Sequence, residues 1–455
     1  MNGIDRIAGR FQRFQTRFKA HFCSTTRSVF PTATHYLNGL MQAHRKNMER
    51  MEEMVAGADE QRLQHLLTES PWDHHAVLDQ VAQEADRWLG GTEDSCLLID
   101  ESGFAKKGQH SVGVKRQWCG RQGKVDNCQV GVFAALGKGH LSTLIDDRLY
   151  LPKEWASNPA RCGKAGIPQA ARVYRSKSEL ALEMVRHQRA LGLRFAWVGA
   201  DGGYGKEPAF LRGLEGMGEI FVVDIHKDQH LYLEDPRPAI PEMGTARGRP
   251  RSLRHAQTAS SRVDQWVSEQ PETDWQRVTL RDSSKGKLRV EILHRRVWLW
   301  DGKEAQAHHW HLIVRRELDS PQTLKYTVSN APAAIAAQRL ALMQAQRFWI
   351  ERSLQDGKSE SGLADYQARK WRSWHHHMAL VFLAMLFMLE ERILQKDTLP
   401  LLSCSDIESL LRSFLPRRDV QQDEVLRQME KRHRKRQAAI DSQYQKQTRV
   451  QRVGG

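Results

Sequence analysis

Six cysteines (Cys23, Cys96, Cys119, Cys128, Cys162, Cys404) are scattered along 455 residues with no CxxC pair among them. That pattern excludes a zinc ribbon and offers no disulfide framework, so a reducing, cytoplasmic setting is expected. No Walker loop of the form GxxxxGKS occurs, and ATP-driven chemistry has no support. The opening stretch "MNGIDRIAGRFQRFQTRF" is charged and lacks an apolar core of signal-peptide length, so no secretion is expected. The most apolar run, Met378 to Leu389, is far shorter than the ~20 residues a membrane span needs; it reads as a buried core helix, and no membrane partner is expected. Histidines gather at 226 and 230, at 308, 309 and 311, and at 375–377, without HExxH or cysteine spacing, so a zinc site is not expected.

Positive charge is plentiful. Lys and Arg number 69 against 54 acidic residues, a net charge of +15, which favours a polyanionic partner, nucleic acid first, without bearing on fold. A basic soluble protein with no such partner is the plainer alternative. The length suits two or three domains, or one large core with insertions.

Along the chain the hydrophobic period changes several times. Residues 1–90 read as a basic all-helical module, with Phe at three- and four-residue steps in "RFQRFQTRFKAHF". From Ser95 short apolar runs alternate with helical patterns: "SCLLID", "NCQVGVFAAL", "HLSTLIDDRLYLP", then the helix "KSELALEMVRHQRALG" ending at Gly192, then "RFAWVGAD" and "EIFVVDI". Such an order predicts a mixed α/β core over 91–230. Asp235 to Ser261 has the Pro, Gly, Arg and Ser content of an exposed loop, and 275–330 alternates as a small β-rich subdomain; together 231–330 read as an insertion. Helix returns at "APAAIAAQRLALMQAQRFWIERSLQDG", so 331–395 rejoins the core, and 396–455 is a helical, basic C-terminal region whose "EKRHRKRQ" reads as a solvated helix or tail.

Asp100 and Asp201 each close a predicted core strand and are followed by glycine-containing segments, "DESGFAKKG" and "ADGGYG". Acids at strand C-termini lie at the sheet edge where ligands bind in open α/β folds, and clustered carboxylates call for a hard dication such as Mg²⁺ or Mn²⁺. Acids are also common turn residues, and the two Asp alone do not decide between these readings. On the helix "QRFWIERSLQDGKSESGLADY", offsets of four and seven put Arg347, Glu351 and Lys358 on one side. That is either a solvated ion-pair stripe or an acid between two phosphate-holding cations.

The blocks "LLIDESGFAKKGQHSVGVKRQWCGRQGKVDNCQVGV", "WVGADGGYG" and "FWIERSLQDGKSESGLADYQARKWRSWHHHMAL" resemble, in order, spacing and flanking residues, the three catalytic blocks of DDE insertion-sequence transposases, most closely the insertion-sequence-701 group. The resemblance runs from about Leu40 to about Glu390. It implies a ribonuclease H-like core with Asp100, Asp201 and Glu351 as catalytic metal ligands for two Mg²⁺ ions, with Mn²⁺ as a substitute. It also implies DNA partners, namely terminal inverted repeats and target DNA, a homodimeric synaptic complex, and a bacterial cytoplasmic enzyme that joins the nucleoid when bound. Cleavage leaves a 3′-hydroxyl that then attacks the target strand. Arg347, Glu351 and Lys358 match the last three members of the Tyr-x2-Arg-x3-Glu-x6-Lys signature of the wider group; its Tyr position falls on Gln344. A tryptophan that stacks on a flipped base in that group's inserted subdomain points to Trp298 and Trp300.

Further DNA contacts are expected from Lys106, Lys107, Lys115 and Arg116, which follow the first catalytic strand, or these are solvated loop charges. Arg247 and Arg249 in "RGRP" have the form of a minor-groove hook, or of a flexible basic loop. Two other classes stay open: a DNA-binding repressor derived from a transposase, and a host nuclease of the same fold.

Overall fold

A computed structural model describes residues 6–23, 27–241, 253–283, 286–365 and 369–453. The chain divides into two compact units. One comprises 1–72, 365–367 and 405–455; the other comprises 73–364 and 368–404. Among the described residues no helix is long and apolar enough to cross a membrane.

The first unit is helical: α1 (Ile7–Thr16), α2 (Phe30–Gln42), α3 (Met48–Met54) and α4 (Glu60–Thr68). Phe11, Phe14, Phe18 and Phe22, the phenylalanines of the periodic run, are all buried, and the Phe22 ring lies 4.9 Å from that of Trp72. Asn47 and Asp59 cap α3 and α4 by accepting from backbone N–H groups. The unit is completed by α15 (Cys404–Phe414, all but its first residue) and α16 (Gln422–Val453). Lys46 Nζ lies 3.1 Å from Glu408, both almost wholly buried. In α16 the basic run is only partly solvated, because Lys431 pairs with Glu52, Arg432 with Glu53 and Lys435 with Glu60.

In the second unit, α5 (His74–Leu89) leads into β1 (Ser95–Ala105), β2 (Lys115–Cys119), β3 (Lys124–Lys138) and β4 (Leu141–Leu149). The short helices α6 (Lys153–Ala156) and α7 (Pro159–Ala165) precede α8 (Lys177–Ala190). A full capping box, Ser176 with Glu179, starts α8, and Gly192 at φ +83° follows its end. Next come β5 (Trp197–Ala200), α9 (Gly202–Gly205), α10 (Pro208–Gly216) and β6 (Phe221–Ile225). A two-stranded sheet, β7 (His230–Leu231) with β8 (Ser261–Arg262), and α11 (Val263–Ser268) lead to β9 (Gln276–Ser283), β10 (Gly286–Leu299), β11 (His308–Glu317) and β12 (Ser320–Ser329). Helices α12 (Ala337–Gln346), α13 (Phe348–Ser359) and α14 (Trp371–Leu394) finish it. The apolar run forms α14, buried from Ser373 to Glu391 on every side, as an all-round hydrophobic helix must be.

One ten-stranded sheet organises this unit, in the order β2-β3-β1-β5-β6-β12-β11-β10-β9 with β4 on the free edge of β3. Neighbours β1, β5 and β6 run parallel; β3 and β4 are antiparallel to their partners. All four residues of β5 are buried, which is why "WVGA" reads as an unbroken apolar run.

Three expectations change. The N-terminal helical unit ends at Trp72, and α5 packs with α14 and β4 in the second unit. The β-rich segment is not a separate subdomain: β12 pairs antiparallel with β6 and carries β11, β10 and β9 on the same sheet. Asp100 does not close its strand, because Glu101 to Ala105 continue to pair with β3.

Candidate active site

Register brings the acids together. Ile99 is paired with Ala200 across β1 and β5, and Ala200 with Val223 across β5 and β6. The next residue on each of these three neighbouring strands is an acid: Asp100, Asp201 and Asp224. Asp201 turns the chain into α9, its carboxylate accepting from Gly203 N–H at 3.0 Å. Gly205 allows α9 to lie against β6, since a Cβ there would meet the Asp224 carbonyl oxygen at 1.9 Å.

Helix α13 packs against β4, β1 and β3. Ile350 and Leu354 are buried beneath it, and Ser142 of β4 bonds the Trp349 carbonyl at 3.1 Å and Ser353 Oγ at 2.7 Å. Helix is interrupted at Arg347, which ends α12 and starts α13. Its Nη1 lies 2.8 Å from Glu351 Oε1, and its Nε donates to Asp224 Oδ2 at 2.9 Å. Arg347 and Asp224 are largely buried, whereas the Glu351 side chain is half exposed.

Burial and crowded negative charge together set the electrostatics here. Burial first, then the Asp201 charge, push the Asp100 carboxyl up to about 7. Burial likewise raises Asp201, against the pull of Arg347. Desolvation opposes charge on Arg347, yet Asp224, Glu351, Asp100 and Asp201 together raise its pKa above the ordinary value. Tyr204 is buried within electrostatic reach of Glu101, Asp100 and Asp201, and its hydroxyl has no hydrogen-bond partner among the described residues. An all-oxygen donor set short of positive charge, beside an orphaned hydroxyl, fits a hard dication. Among the described residues, however, no three acids, imidazoles or thiols are gathered closely enough to hold an ion; Glu351 is turned to Arg347.

The remaining expected residues are spread more widely. Lys358 is partly buried two turns beyond Glu351 on α13. Lys106 is partly buried, and burial takes its ammonium down to about 8. Lys107 and Arg116 are exposed, while Lys115 pairs with Glu154. Trp298 stacks on His309 at 4.5 Å. Trp300 donates to the Glu304 carbonyl at 3.0 Å and lines a cleft with Gly205 and Arg212. Arg247 and Arg249 lie outside the described residues. The three-histidine run packs inside α14: His375 Nδ1 is 3.3 Å from Asp147, and His377 Nε2 donates to the Gly362 carbonyl at 3.1 Å.

Sequence reasoning missed Asp224, Thr327, Tyr204 and the cations Arg315 and Lys325. Asp224 had a signal, because "EIFVVDI" is a third apolar strand with an acid near its end. Lys325 lies near Arg347, Asp224 and Glu351; burial and then the charges of Arg315 and Arg347 lower its pKa.

The family model described as "DDE superfamily endonuclease" matches residues 17–287, a span that holds Asp100, Asp201 and Asp224 but stops short of Glu351. The chain is also 25% identical over 362 residues to the probable transposase for insertion sequence element IS701 of Microchaete diplosiphon, covering 77% of this chain and 82% of that protein.

Proposed function

The chain belongs to the DDE superfamily endonucleases, and from that premise we propose that it is a DNA transposase that cuts at the terminal inverted repeats of an insertion sequence and joins the 3′-hydroxyl ends to target DNA. The observation that carries this reading is the placement of Asp100 and Asp201 at the same step of two adjacent parallel strands, under a helix that presents Glu351. Strand order β4-β3-β1-β5-β6, antiparallel then parallel, supports a ribonuclease H-like core.

In this reading Asp100, Asp201 and Glu351 hold two divalent ions, Mg²⁺ or Mn²⁺. Bound there, the ions would supply activation of the attacking oxygen and stabilisation of the leaving one. The chain's own part is positioning. Strands β1 and β5 fix two carboxylates rigidly, α13 brings the third, and Arg347 with Lys358 grip the phosphates flanking the scissile bond, Arg as a fork and Lys as a point charge. Lys107 and Arg116 extend the DNA track. The first unit, with Arg13, Arg17 and Lys19 exposed on one short segment, grips the terminal repeats. Trp300, beside the Asp201 turn, is the stacking surface for an unpaired base. The working form is a homodimer on paired ends.

Incubating the protein with DNA carrying the element's own ends, and with scrambled ends, in the presence of Mg²⁺ tests this reading. Nicking of the true ends alone is expected. A shift without cutting would mark a DNA-binding repressor, and equal cutting of scrambled ends a host nuclease.

A further inference from the structure

Gln344 occupies the place where the resembling signature has Tyr, and the structure shows what it does. Its side chain is 4% exposed, beneath the site. Its Nε2 donates to Thr327 Oγ1, and Thr327, itself 2% exposed, donates to Asp224 Oδ1. The other Asp224 oxygen accepts from Arg347 Nε, whose guanidinium reaches on to Glu351. One chain of contacts therefore runs from α12 through β12 and β6 to the helix bearing Glu351. Thr327 and Asp224 are directly paired across those strands.

We propose that Asp224, with Thr327 and Gln344 behind it, is a positioning residue that keeps Arg347 docked at the sheet edge so that Glu351 is released to a divalent ion. This rests on the metal-binding reading above. Arg347 is divided between two carboxylates. Were Glu351 to serve as a ligand, the guanidinium would keep a fixed partner at Asp224 through its Nε, leaving its Nη groups available to phosphate. Without the Asp224 charge, Glu351 is the nearest remaining counter-ion of a largely buried guanidinium, and Arg347 competes with the ion for it. One oxygen of Asp224 accepts from Thr327 and the other from Arg347, which suits it to orient the guanidinium. Thr327 is in turn held by Gln344, and partners behind a metal ligand set its availability.

Mn²⁺ binding, read from the loss of the free-ion electron paramagnetic resonance signal, tests this without DNA or turnover. Asp224→Asn is expected to bind Mn²⁺ about tenfold more weakly than the natural protein. Thr327→Val is expected to bind roughly threefold more weakly, the share of one neutral hydrogen bond, while Thr327→Ser, which keeps the hydroxyl, restores the affinity. Circular dichroism confirms that each variant folds, and the Val and Ser pair carries the test where Asp224→Asn does not. Unchanged Mn²⁺ affinity in folded Asp224→Asn, or equal affinities in the Val and Ser variants, would overturn the positioning role and leave the proposed function standing. A natural protein that binds no Mn²⁺ would instead overturn the metal reading beneath it.

Discussion

Asp100 and Asp201 stand side by side because each follows one member of the Ile99 and Ala200 pair on two parallel strands. Both feel the charge of Arg347, and Asp100 is pushed up to about 7 by burial and by its neighbour. Asp100→Asn removes that repulsion while keeping the shape. In metal-free buffer its melting temperature is expected to rise by a few degrees. Mn²⁺ should raise the melting temperature of the natural protein by mass action, but not that of the variant. Thermal scans with and without the ion check both; a variant stabilised by Mn²⁺ as strongly as the natural protein would remove Asp100 from the ligand set.

Arg347 bridges two carboxylates with two different nitrogens of one planar group. Lysine has a single ammonium and cannot reproduce the fork. Arg347→Lys is expected to lower the cleavage rate by about a hundredfold, roughly 2.7 kcal/mol of transition-state stabilisation, with end binding reduced far less. Single-turnover cleavage beside gel-shift titration measures the split. Equal losses in both would make Arg347 a plain DNA contact.

His377 is fully buried in α14, and burial lowers its imidazole to about 4. In the unfolded chain the group titrates near 6.5. Its folded pKa is the lower one, so the stability it contributes is complete above about 6.5 and is lost as pH falls toward 4, by at most about 1.4 kcal/mol per pH unit. Urea unfolding at pH 7.5, 6 and 5 should show this decline. His377→Gln, if it keeps the bond to the Gly362 carbonyl, should flatten that part of the curve; an unchanged slope would show that other groups set the acid limit.

Trp298 has its ring stacked on His309, whereas Trp300 lines the cleft next to Gly205 on the Asp201 side. With 2-aminopurine at the terminal nucleotide of the end DNA, a fluorescence change on binding is expected for the natural protein and for Trp298→Ala, and its loss for Trp300→Ala. The reverse order would move the stacking role to Trp298.

Local patterns carried most of the elements. The capping box at Ser176 and the glycine at 192 mark both ends of α8, and the acid of "WVGAD" marks the end of β5. What local pattern does not encode is which strands become neighbours. The pairing of Asp224 with Thr327 joins segments about a hundred residues apart, so the β-rich insertion looked separate and the third acid of the row went unread. Asp100 looked terminal because the apolar run stops there, while pairing with β3 continues to Ala105 and buries Phe104. Gln344 shows the same limit: helical spacing gives its direction, but only the sheet beneath α12 makes that direction buried.

Cleavage of terminal-repeat DNA by Glu351→Ala tests the central claim most directly. A variant that shifts the DNA with the natural protein's affinity but leaves both strands whole in Mg²⁺ is the predicted result. Nicking at the natural rate would contradict the assignment of Glu351, and with it the site on which the transposase reading stands.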